Sequence, residues 1–107
     1  MADQQSEAVI VRVKLSDDEF GEPEERMNAY RVEDRLLETI PTDIGEVDGH
    51  DFGGGFFTVY VYGPSAEGLA ALVLPALQTQ TVRPGSTIIK RFGPPGAREE
   101  AVNWPAA

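Results

Sequence analysis

Cysteine is absent from this 107-residue chain, which removes disulfide staples, thiol nucleophiles and thiolate metal sites together. Histidine occurs once, at His50, so any imidazole chemistry would have to borrow its other groups from carboxylates. Basic residues are scarce, 9 against 18 acids, and the formal charge of -9 opposes general attraction to nucleic acid or to an anionic bilayer. No apolar run approaches the ~20 residues of a spanning helix, and the amino-terminal residues 1–7 lack the basic and apolar blocks of a secretory signal. The expectation is a soluble cytoplasmic protein that makes no use of a membrane and favours a basic partner.

What is present is strong patterning within one domain, whose core is expected at about residues 8–93. Residues 9–15 alternate, with Val9, Val11, Val13 and Leu15 on one face and Ile10, Arg12 and Lys14 on the other, which predicts a strand. An acidic segment from Asp17 to Glu25 follows. Its Pro23, Glu24 and Glu25 suit the first turn of a helix. Ala29, Val32, Leu36 and Ile40, widened by Met27 and Leu37, form a helical stripe over about 24–39 that Pro41 ends.

Residues 44–50 read as a weak strand, and residues 56–62 as a strong one beyond the turn Gly53-Gly54-Gly55. In the strong strand Phe57, Val59 and Val61 share one face, and Phe56, Thr58, Tyr60 and Tyr62 the other. Ser65 caps a second helix expected over 66–78, with a kink or early end near Leu74 because Pro75 removes a backbone donor. A last strand is expected over 86–92, before the break Gly93-Pro94-Pro95-Gly96. Residues 97–107 alternate too poorly to predict a strand; Trp104 is expected to pack over its own domain, or else to anchor a dimer or a ligand.

Strand, helix, strand, strand, helix, strand is the ferredoxin-like βαββαβ order. Right-handed crossovers place both helices on one face of a four-stranded antiparallel sheet with the fourth, first, third and second strands in that order. The α/β sandwich so formed leaves the other sheet face open and carries an extended carboxyl-terminal tail.

Candidate chemistry lies at three places. Tyr60 and Tyr62, with Arg12, Lys14 and either Lys90 or Arg91, resemble an RNA-stacking platform, but the expected motif for such domains is missing and the net charge opposes it. Asp48, His50 and Asp51 include metal-ligand types, but neighbours on an extended segment point in different directions, so a hairpin held by aspartate-to-backbone bonds is preferred to a metal site. Gly53, Gly54 and Gly55 match no phosphate-binding pattern. Catalytic, cofactor-binding and metal residues are therefore each expected to be none.

The segments from Asp48 to Gly55 and from Lys90 to Glu100 resemble those of uncharacterised small bacterial ferredoxin-like α/β proteins. The resemblance implies the fold and transfers no catalytic residue. The small acidic character is also compatible with toxin-neutralising immunity proteins. The sequence reading is a non-enzymatic protein-binding or regulatory domain, with a homodimer or a basic protein at Asp17, Asp18, Glu19, Glu22, Glu24 and Glu25 as partner. Single-stranded nucleic-acid binding is the alternative, ahead of a small-molecule enzyme.

Overall fold

The computed structural model describes residues 7–16, 22–80 and 82–104. In chain order the elements are β1 (Glu7–Lys14), α1 (Pro23–Thr39), β2 (Glu46–Gly53), β3 (Phe56–Gly63), α2 (Ala66–Leu77), β4 (Thr87–Arg91) and β5 (Glu99–Asn103). All strand pairs are antiparallel, and the sheet runs β2-β3-β1-β4-β5. The first six elements are the ferredoxin-like βαββαβ unit, an open sheet with both helices on one face.

The face assignments rest on strand alternation. Val9, Val11 and Val13 pair with Val61, Val59 and Phe57, and all six are buried beneath the helices. The helices supply Ala29, Val32 and Leu36 from α1, and Leu69, Ala70, Val73 and Leu77 from α2. At roughly 25 cal/mol per Å² of apolar surface removed from water, this single cluster supplies the main drive for folding.

Local chemistry fixes the boundaries. The Glu25 side chain reaches back to the Glu22 amide at 2.9 Å, one half of a capping box, while Pro23 opens α1 where no intrahelical amide bond is needed. Ile40 turns extended ahead of Pro41 and ends that helix. Ser65 Oγ accepts the Gly68 amide at 3.0 Å, and the Glu7 carboxylate accepts that of Ala66 at 2.7 Å, so the first turn of α2 is doubly satisfied. Between β2 and β3 the two loop residues Gly54 and Gly55 take φ of 61° and 84°, the left-handed pair a type I′ hairpin requires.

Four expectations change. The sheet has five strands, because the Gly93–Gly96 turn sends the tail back along the outer edge of β4 as β5. Phe92 and Ala97 amides close that turn on the Arg98 and Pro94 carbonyls, each at 2.9 Å. Helix α2 runs through Pro75 to Leu77, with the Gln78 amide bonded to Leu74 at 3.1 Å, so no early end occurs at Leu74. Ile44 and Gly45 belong to the turn before β2, whose amides bond to the Pro41 carbonyl. Met27 and Leu37 lie outside the buried stripe of α1, at 60% and 56% exposure. Trp104 packs over its own domain: it is 4% exposed, and its indole N–H donates to the Leu77 carbonyl at 3.0 Å.

Candidate functional site

Helix α1 lies beside β2, and their junction gathers the side chains of greatest chemical interest. His50 projects to the helix side of β2, where Nδ1 sits 2.9 and 3.0 Å from the two carboxylate oxygens of Glu33 on α1. A carboxylate partner makes Nδ1 the donor. The Tyr30 ring, three residues before Glu33, stands edge-on to His50, Phe52 and Phe57 with centroids at 5.4, 6.0 and 6.0 Å. Glu33 and Tyr30 thus fix the imidazole and tie the helix to the sheet edge.

Asp48 and Asp51 do not join this group. Asp51 pairs with Thr58 and faces the open side of the sheet, whereas Asp48 sits where the β2 register shifts between Val47 and Gly49. Among the described residues no group of three His, Asp or Glu side chains is placed to hold a metal ion. The sequence had offered His50 its chain neighbours; its structural partner lies on the preceding helix. The spacing Tyr30, Glu33, Leu37 along one side of that helix was the available signal.

The same junction carries the exposed apolar surface. Met27, Tyr30, Leu37 and Ile44, between 40% and 60% exposed, all lie on α1 or on its turn into β2. Leu37, Ile40, Thr42, Gly45, Glu46 and Val47 line a cavity of about 340 Å³ between helix and strand. Strand β2 is an outer strand, at one edge of the sheet. Its surroundings are acidic: no lysine or arginine occurs from Leu36 to Val82, while Glu38, Asp43, Glu46, Asp48 and Asp51 are all exposed.

The open sheet face is more self-contained than its composition suggests. Arg12, Lys14 and Arg91 fall on it, whereas Lys90 faces the helices and pairs with Glu67 at 2.7 Å and Glu100 at 3.2 Å. The Glu67 hydrogen bond, reinforced by Glu100, raises the Lys90 pKa above its ordinary value. The Arg12 guanidinium lies 3.9 Å from the centre of the Phe56 ring, with the Lys14 ammonium at 5.3 Å, so these cations and that ring satisfy one another. Arg91 is 8% exposed and donates to the Gly93 carbonyl at 2.9 Å. Tyr60 and Tyr62 are half-buried, their rings 7° from parallel and 6.4 Å apart.

Of the acidic segment before α1, Asp17, Asp18 and Glu19 lie outside the described residues. Glu25 is already engaged: it accepts from Ser16 Oγ at 2.6 Å, the Glu22 amide at 2.9 Å and Arg83 Nε at 2.7 Å. Burial opposes its ionisation, but these hydrogen bonds outweigh it and hold the carboxyl at about 2 against an ordinary 4.5. Such a carboxylate braces the fold and has little left to offer a visitor.

No known family's sequence pattern, no curated protein and no solved structure matches the chain. Among the described residues no helix is long and apolar enough to cross a membrane.

Proposed function

We propose that this chain is a non-enzymatic protein-binding domain that docks a basic partner on the flank formed by α1 and β2. The observation that carries the reading is the exposure of Tyr30, Leu37 and Ile44 on α1 and its turn into β2, with Met27 exposed about one turn earlier on the helix. A contiguous exposed apolar patch with a polar rim is a usual mark of an interaction surface; here the rim around β2 is acidic, while α1 also carries the exposed Arg31 and Arg35. The surrounding carboxylates supply long-range steering, and the apolar centre supplies the buried anchor.

Of the acidic residues expected to meet a basic partner, Asp17, Asp18 and Glu19 lie outside the described residues, Glu22 and Glu24 are exposed and Glu25 is bonded internally; the proposal puts the main contact on the α1–β2 flank instead. A cytoplasmic setting belongs to the same proposal. A second copy of the chain is a weaker occupant, because its own acidic flank would meet like charge and Trp104 is sequestered in the core. Single-stranded nucleic acid on the open face remains the second reading, favoured by the near-parallel Tyr60 and Tyr62 rings.

The test compares wild type with Leu37→Asp, a substitution at a solvent-facing position. Proteins captured from the source cell are identified, purified and titrated against both folded chains at two ionic strengths. The flank reading expects a salt-sensitive partner whose affinity falls about tenfold or more in the variant. A purified partner that binds both chains alike removes the flank from consideration.

A further inference from the structure

Strand β2 presents different chemistry on its two sides. Val47, His50 and Phe52 face the α1 side, whereas Glu46 and Asp51 share the open side with their β3 partners Tyr62 and Thr58. Among the described residues no strand pairs with the outer edge of β2. On the helix side of β2, Tyr30 of α1 packs edge-on against Phe52 and Phe57, and Leu37 lines the cavity of about 340 Å³ beside Val47; the two are 43% and 56% exposed.

An edge strand next to an exposed helix flank is a groove with hydrogen-bonding groups on one wall and apolar groups on the other. That combination fits an extended peptide, which gains affinity from main-chain pairing and specificity from alternate side chains. From these features we infer that β2 is a strand-addition site for an extended segment of alternating apolar and basic residues. The inference rests on the flank reading above and specifies its ligand class.

The alternation of β2 sets the alternation of the ligand. Residues of an added strand that fall on the helix side meet Tyr30, Leu37 and the cavity, beside the bonded pair of His50 and Glu33, so apolar groups are favoured there. Those on the opposite side meet the exposed Asp51, to which lysine or arginine brings the opposite charge. The register shift between Val47 and Gly49 limits regular pairing to Gly49–Gly53. A peptide laid along that stretch therefore continues past the bulge with its next apolar side chain at the cavity mouth.

The other edge offers no equivalent. Strand β5 carries Glu99 and Glu100, and among the described residues none of the large exposed apolar side chains belongs to it. Glu100 is further occupied by Arg98 at 2.7 Å and by Lys90, contacts that lower its pKa.

The probe is a short, acetylated and amidated peptide of alternating valine and lysine, fluorescently labelled and titrated by anisotropy. Two controls accompany it: the same sequence with alternate backbone nitrogens methylated, and one with glutamate replacing lysine. Saturable binding of the first peptide is expected, with neither control binding and hydrogen exchange slowed at amides between residues 49 and 53. Leu37→Asp and Asp51→Lys, both at exposed positions, are each expected to weaken it about tenfold or more. Absence of saturable binding by the unmethylated peptide overturns strand addition. Equal binding of the methylated peptide, if still lost in Leu37→Asp, also overturns it while leaving the flank as a docking surface. Binding indifferent to Leu37→Asp removes the flank reading as well.

Discussion

Replacement of Trp104 tests whether the last described residues close the core. The indole is 4% exposed within the main apolar cluster, and its N–H donates to the Leu77 carbonyl at the end of α2. That carbonyl also receives the Gln80 amide at 3.1 Å, so Trp104→Phe leaves it with one partner. The phenylalanine variant therefore loses one net hydrogen bond and part of the ring packing, about 1–2 kcal/mol. Trp104→Ala empties the site and costs about 3–5 kcal/mol, a large share of the roughly 5–15 kcal/mol that holds a domain folded.

Urea unfolding followed by far-ultraviolet circular dichroism suits the comparison, since both substitutions delete the sole tryptophan fluorophore. With a slope of about 2 kcal/mol per molar urea, the midpoint falls by about 0.5–1 M for phenylalanine and about 2 M for alanine. The graded order is the diagnostic feature. Two variants that both stay within about 0.5 kcal/mol of wild type would behave as surface substitutions, and the buried placement of Trp104 would be wrong.

Glu25 has a pKa depressed from 4.5 to about 2, so its stabilising contribution is complete above pH 4.5 and is lost as the pH falls from there towards 2. Allowing for solvent screening at this rim position, Glu25→Gln should cost about 1 kcal/mol at neutral pH and flatten the stability profile across that acid window; an unchanged slope in chemical denaturation would refute it. At Gly63 an added Cβ would lie 2.8 Å from the Ile44 carbonyl oxygen and 3.1 Å from Leu69 Cδ1. Gly63→Ala should therefore destabilise by about 1–3 kcal/mol in thermal unfolding, and a neutral result would show that the turn before β2 yields freely. Single-stranded RNA and DNA, titrated at low salt, should show no saturable binding; binding lost in Tyr60→Ala or Tyr62→Ala would instead establish the open face as a nucleic-acid surface.

The parts of the fold that could be read in advance are those where one physical signal dominates. Val9, Val11 and Val13 against Phe57, Val59 and Val61 announce two strands with a shared buried face, and their strength places both at the sheet centre. Strand β5 was illegible because Glu99-Glu100-Ala101-Val102-Asn103 has almost no alternation of its own. Its pairing is imposed by the turn at Gly93–Gly96 and supported by cross-strand contacts such as Lys90 to Glu100. The helical stripe misled in a different way. Met27 and Leu37 fit a broad apolar face, but with α1 seated beside an edge strand, only its narrow side at Ala29, Val32 and Leu36 finds a core to fill. For the same reason the spacing of Tyr30, Glu33 and Leu37 marks one side of a helix but not its pairing with His50, since a contact between an edge strand and the helix before it depends on the tertiary crossover.

The excess of acid is divided by position in the fold, and that division decides where a partner can act. At the entrance to α1, Glu25 already spends its hydrogen-bonding capacity on Ser16, Glu22 and Arg83; beside β4, Glu67 of α2 and Glu100 of β5 are paired with Lys90. These carboxylates brace loops and helices against the sheet. From Leu36 to Val82, by contrast, no cation is available along the chain, and Asp43, Asp48 and Asp51 stand exposed around β2. Exposed carboxylates of one sign at an edge strand discourage pairing with another copy of the same acidic chain, a recognised protection of sheet edges. They oppose a basic strand far less, so the same residues that guard the edge against self-association select for a ligand of opposite charge.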